Sequence, residues 1–189
     1  ASHNPKQYTG MKIVRRGALP VVASIRSGNA SVMQLGALAR VLASHPDTYA
    51  AAAPMTELGG LAGSGVMDDR GRHGWRRLVV GLNRPLLAKL GFDPRLGAHA
   101  ADDPEVTLRR VQVVNRLIGS GREKPLRRRL MAATRAYLGG DSKALDPAWF
   151  ETALGLYVQR GGLPAAKVLL EKALTSEDPE FRPAAITAI

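Results

Sequence analysis

DDPEVTLRRVQVVNRLIGSGREKPLRRRLMAATRAYLGG, residues Asp102 to Gly140, decides the fold. Val106, Val113 and Leu117 fall on one face of a helix over Val106–Ile118, with Arg109, Arg110 and Arg116 around the others. Gly119-Ser120-Gly121 reads as a tight turn between antiparallel helices. Leu126, Leu130, Ala133 and Tyr137 then recur at spacings of four, three and four, which predicts a return helix over Glu123–Leu138. The stretch opens with Asp103-Pro104. Aspartate accepts the orphan N–H groups of a first helical turn, and proline fits the next position because its missing N–H would be unpaired there.

The same opener recurs at Asp146-Pro147 and Asp178-Pro179, 43 and 32 residues on. Helix-pair repeats of the HEAT and armadillo type run at roughly 40 to 47 residues. The expectation is an all-α fold of stacked antiparallel helix pairs, a HEAT- or armadillo-like superhelix. A further pair is expected from Pro147–Gln159, with Phe150, Leu154 and Tyr157 inward, and Pro164–Leu174, joined at Gly161-Gly162. A last helix starts at Pro179. Its stripe of Phe181, Ala185, Ile186 and Ile189 has no following helix, which predicts a chain truncated at its C-terminus.

Upstream, a helix is expected to start near Leu19 with Pro20 in its first turn. A second follows an N-cap at Ser31, with Val32, Leu35, Leu38, Ala39 and Leu42 at helical spacing. Pro54 should stop a short helix over Ala50–Ala53, and Gly59 to Gly65 should form a mobile connection. Trp75 to Leu90 reads as a helix kinked at Pro85 and stopped at Gly91. The domain expectation is a flexible segment or cloning remnant over 1–10 and a helical repeat domain over 11–189.

The 189 residues can build one sizeable core. Aromatic side chains are few, so Leu, Val, Ile and Ala must fill it, which suits packed helices. There is no cysteine, hence no disulfide or thiolate metal site. No apolar run reaches the roughly 20 residues that span a bilayer, and a membrane partner is not expected. The compartment stays open, with the cytoplasm favoured. Net charge is +11, and it is concentrated: Arg70 to Arg135 holds 16 Lys and Arg against 5 Asp and Glu. Such a window could bind nucleic acid, an acidic surface or an acidic partner, or simply be a solvated face.

Catalytic patterns are scarce. Val66 stands where a phosphate loop needs lysine, no histidine precedes a glutamate, and no serine sits in a G-x-S-x-G elbow. The acidic pairs Asp68-Asp69 and Asp102-Asp103 could in principle do acid–base work, but neighbouring residues point apart and Asp103 has a capping role. No catalytic or metal residue and no cofactor is assigned to this chain.

The run Asn83-Arg84-Pro85-Leu86-Leu87-Ala88-Lys89-Leu90-Gly91-Phe92 is similar to a P-L-Y-x-x-L-G-W element. It is followed in order by Asp102 to Arg109, Gly119 to Arg122, Tyr137-Leu138-Gly139-Gly140-Asp141, Leu145-Asp146-Pro147 and Thr175 to Arg182. This order, over about Trp75 to Ile189, resembles the C-terminal helical domain of gluzincin zinc aminopeptidases, the family of aminopeptidase N and the puromycin-sensitive aminopeptidase. The resemblance implies a parent zinc exopeptidase that removes N-terminal residues from peptides. Its zinc helix and exopeptidase motif would lie upstream, so no zinc or catalytic position carries over. For this segment the resemblance implies a bowl-shaped helical stack that closes over the catalytic domain of the same polypeptide. Its peptide contacts would be Arg109, Arg110, Arg127, Arg128 and Arg129, pairing with carboxylates. A helical-repeat scaffold that binds a protein partner through its basic face is the second reading. A nucleic-acid binder is the third and is disfavoured.

Overall fold

The computed structural model describes residues 23–25, 27–29, 31–43, 45 and 48–189. The expected helix start near Leu19 and the 1–10 segment lie outside these residues. All regular structure among the described residues is helical. The chain runs α1 (Val32–Leu42), α2 (Thr48–Gly63), α3 (Asp69–Leu90), α4 (Pro104–Ile118), α5 (Lys124–Leu138), a 3-10 turn (Pro147–Trp149), α6 (Phe150–Thr175) and α7 (Phe181–Ala188). No helix among the described residues is long and apolar enough to cross a membrane. Contacts divide the chain into two compact units, with the boundary inside α3 between Pro85 and Leu86.

In the first unit, Ser31 opens α1 as expected. Its backbone N–H donates to Gln34 Oε1 at 3.1 Å, the return bond of a capping box. Leu35 and Ala39 point into a core shared with Leu58, Leu61, Trp75 and Val79.

Two expectations fail here. Pro54 lies inside α2 and does not end it, and Gly59, Gly60 and Gly63 are helical, not a mobile connection. The reason is packing: Leu58 and Leu61 are fully buried one turn apart and hold the backbone helical against glycine's low propensity. Gly59 also supplies close approach, since a Cβ there would already touch the Trp75 ring at 3.7 Å. The connection proper is confined to the residues after Gly63. There Asp68 Oδ1 accepts the Gly71 N–H at 2.7 Å and opens α3 well before Trp75.

In the second unit the Asp-Pro openers act as read. Asp103 Oδ1 accepts the Glu105 N–H at 2.8 Å and Asp146 Oδ1 accepts the Ala148 N–H at 3.1 Å. Asp178 Oδ1 accepts the N–H groups of Glu180 and Phe181 at 2.8 and 3.0 Å. Helices α4 and α5 are joined by five residues and pack on each other, and α5 packs on α6. Helix α6 breaks at Gly162, whose φ of 58° and ψ of −148° suit only glycine, so the turn expected at Gly161-Gly162 is present as a sharp bend. Helix α6 packs with α7.

The core of this unit gathers Val114, Leu130, Leu145, Leu154 and Leu169 around an aromatic cluster. Phe92 meets Trp149 edge-on at 5.1 Å, and Phe150 meets Phe181 at 5.7 Å, with Tyr137 tilted against both phenylalanines. Each fully buried leucine contributes about 1.5–3 kcal/mol relative to exposure.

The segment between α3 and α4 is tied down. Gly91, at φ 70°, ends α3 as expected. The Asp93 N–H donates to His99 Nε2 at 3.2 Å, and His99 Nδ1 lies 3.5 Å from Asp102 Oδ2. Three bonds stitch residues 94–97 to residues 143–146. The Leu96 N–H donates to the Lys143 carbonyl at 3.0 Å and the Asp146 N–H to the Pro94 carbonyl at 2.7 Å. The Gly97 N–H donates to Asp146 Oδ2 at 2.9 Å.

Candidate functional site

Successive residues of a helix point about 100° apart, so the run Arg127–Arg129 at the start of α5 sends its guanidinium groups in three directions. Arg127 is half-buried and its Nη2 donates to Gln159 Oε1 of α6 at 2.8 Å. Its Nε is buried with no hydrogen-bond partner. Arg128 is exposed. Arg129 lies over the Phe92 ring at 5.4 Å from its centre, with Asp93 Oδ2 3.9 Å from its Nη2.

The remaining sequence candidates sit apart from these. Arg110 is only 3% exposed. Its Nε and Nη2 donate to the Leu90 carbonyl at 3.0 and 2.9 Å, and Nε also reaches Gly91 O at 3.2 Å. Nη2 pairs with Asp102 as well. This arginine therefore caps the C-terminus of α3 and is internal to the fold. Arg109 is half-buried on α4. Burial, and secondarily the charge of Arg109, push the Arg116 guanidinium below its usual range.

Three arginines outside the candidate set, Arg122, Arg135 and Arg160, complete a site. Arg122, Arg127 and Arg160 line one cavity of about 640 Å³, with Thr152, Gly155 and Gln159 of α6 and a single carboxylate, Glu151. A second cavity of about 470 Å³ is lined by Arg128, Arg135 and Arg160 with Met131 and Tyr157. Arg160 belongs to both, so five arginines border two adjoining hollows. Arg122 reaches its place from a left-handed backbone, φ 52°, uncommon for a residue with a side chain. A sequence signal for the α6 wall exists: Thr152, Gly155 and Gln159 form a polar or small stripe at spacings of three and four, opposite buried Leu154. Nothing in the spacing ties that stripe to Arg127, 32 residues away.

The carboxylates that looked like acid–base pairs are engaged elsewhere. Asp68 caps α3, Asp69 pairs with Arg72 at 2.8 Å, Asp102 pairs with Arg110 and Asp103 caps α4. Hydrogen bonds from Arg95, with weaker help from Arg129, hold Asp93 at a pKa of about 2. Among the described residues no three His, Asp or Glu stand close enough to hold a metal. The arrangement can attract and orient carboxylates or phosphates: guanidinium groups present paired donors in a planar fork.

Compared with protein-family models, with curated proteins and with solved structures, the chain matches none.

Proposed function

We propose that this chain is the non-catalytic C-terminal helical domain of a zinc aminopeptidase, closing over the catalytic domain and helping to admit peptide substrates. The observation that carries the reading is the double hollow of Arg122, Arg127, Arg128, Arg135 and Arg160 with Glu151 as its lone acid. A peptide offers such a surface its C-terminal carboxylate and its acidic side chains, and each arginine can bind a carboxylate through two parallel N–H···O bonds. The residues that carry the family resemblance support it from another side, because they build this unit. Gly91 ends α3, Phe92 packs on Trp149, and Asp103, Asp146 and Asp178 open the next elements.

The test has two parts. The encoded polypeptide, assayed on N-terminal aminoacyl reporters, should release them in a way that a zinc chelator abolishes. A labelled peptide with a free C-terminus should bind more tightly than its C-terminal amide, and Arg127→Glu with Arg160→Glu should erase the difference. An encoded polypeptide lacking an H-E-x-x-H helix defeats the aminopeptidase reading. Equal binding of acid and amide defeats the role given to the arginines.

A further inference from the structure

A second hollow, in the first unit, has a different chemistry. It runs along α3 beside α1 and encloses about 1100 Å³. Its floor is apolar: Leu58 from α2, and Trp75, Leu78 and Leu82 at spacings of three and four on α3. Met33, 74% exposed, and Val66, 45% exposed, stand at its edges. From Gly71 to Leu82 the lining follows α3 for about 17 Å at 1.5 Å per residue, three helical turns.

The rim is basic. Arg70, Gly74, Arg77 and Gly81 make a stripe along α3 in which arginines and glycines alternate, and Arg40 stands across from it on α1. These three arginines are exposed and have no carboxylate partner among the described residues. Asp68 is the only acid among the described residues of the lining, and its carboxylate accepts the Gly71 N–H. A Cβ built on Gly74 or Gly81 would meet nothing within 4 Å, so between the arginines the helix backbone is open to close approach.

An elongated apolar floor, three turns long and flanked by unpaired cations, has the dimensions and polarity of a helix-in-groove site. Its complement is a helix with apolar residues at i, i+3 or i+4 and i+7 and carboxylates on its flanks. We propose that the groove between α1 and α3 binds an acidic amphipathic helical segment of a partner protein. Apolar side chains of the partner fill the space over Trp75, Leu78 and Leu82, and its Glu or Asp residues pair with Arg40, Arg70 and Arg77. The glycines let the two backbones approach, and the exposed methionine adapts its shape to the partner. This proposal is independent of the aminopeptidase reading.

The test uses the full chain and three fluorescein-labelled 18-residue peptides, read by anisotropy. One carries a leucine stripe with glutamate flanks, one the same stripe with lysine flanks, and one is a scrambled sequence of the first composition. The expected result is binding of the glutamate-flanked peptide at least about tenfold tighter than either control. Gly74→Leu and, separately, Gly81→Leu should weaken it at least about tenfold by filling the groove. Both replace a helical glycine in open space, so the fold is retained, and circular dichroism and thermal unfolding check this. Arg70→Glu with Arg77→Glu should invert the preference toward the lysine-flanked peptide. No binding, equal binding of the scrambled peptide, or unchanged binding by both folded leucine variants overturns the proposal. So does sedimentation showing that the chain pairs with itself and that the leucine variants abolish that pairing, which would make the groove a self-association site.

Discussion

Replacing Arg110 by methionine tests the central structural claim about the second unit. The guanidinium is almost fully buried and donates to the Leu90 and Gly91 carbonyls at the end of α3 as well as to Asp102. Methionine keeps much of the aliphatic volume and removes every donor. The terminal carbonyls of α3 lose their partners, and a cation at a helix C-terminus is lost too. A hydrogen bond to a charged group contributes about 1.5–3 kcal/mol, and a partly buried cation at a helix C-terminus up to ~2 kcal/mol. These terms overlap, since the same guanidinium makes all of them. Asp102, whose side chain is 32% exposed, regains water when its partner goes, which limits the loss. The expected destabilisation is about 2–3 kcal/mol, the scale of hydrogen bonds to a charged group, below what an uncompensated buried charge would cost. Arg110→Lys should recover less than half of it, because an ammonium cannot span both the carbonyls and the carboxylate in the same plane. The assay is urea unfolding followed by Trp149 emission, with Trp75→Phe introduced alike in reference and variant so that the signal reports this unit alone. With a slope of about 1–2 kcal/mol per molar urea, the midpoint should fall by about 1–3 M. A loss below about 1 kcal/mol, or a lysine variant as stable as its parent, would refute the reasoning.

Other outcomes follow from single positions. Gly162→Ala forces a side chain into a backbone region reserved for glycine and should cost about 1–3 kcal/mol. Gly155→Ala, in a helix with open space around it, should stabilise by up to ~1 kcal/mol; thermal unfolding midpoints should therefore move in opposite directions. Asp93, held at about 2 chiefly by hydrogen bonds from Arg95, stabilises the fold above the ordinary carboxylate pKa, and that contribution is lost as pH falls from about 4 through 2. Solvent screening of the exposed Arg95 keeps this contribution small. Asp93→Asn should flatten the acid limb of a stability–pH curve, and an unchanged limb would rule the pair out as a contributor.

Local chemistry made the helices of the second unit readable. Aspartate before proline favours a helical start, and Asp103, Asp146 and Asp178 all accept the backbone N–H groups that this role requires, whereas Asp93-Pro94 sits in the loop after α3. The periodicity of Leu126, Leu130, Ala133 and Tyr137 reports a core-facing side, although only Leu130 is fully buried and the deepest positions, Met131, Thr134 and Leu138, lie one residue further round. The glycine-dense stretch from Gly59 misled for the opposite reason. Its helicity is enforced by Leu58, Leu61 and the distant Trp75, a tertiary effect that outweighs propensity. The arginine site was half legible. Arg127 and Arg128 stood out as part of a charge run, yet the run is dispersed by helical geometry. Arg122 and Arg160 join it only because α5 and α6 are neighbours. Arg110 carries the same charge in the sequence as Arg109 and Arg128, and only its burial separates a structural cap from a surface contact.

The three bonds between residues 94–97 and 143–146 close a ring around the α4–α5 hairpin. Closing a loop of that length costs only a few RT of chain entropy, growing slowly with length. Once shut, the ring links the fraying of both loops to the opening of the hairpin they enclose. The amide protons of Leu96, Gly97 and Asp146 would then exchange with solvent deuterium at a common rate, together with the hairpin, as a single cooperative opening unit. Because the Asp146 carboxylate also serves the Ala148 amide, the first turn before α6 would join the same event. The base of the hairpin would behave as a latch, and the slowest exchange in the unit would be found among loop amides as well as in the helices.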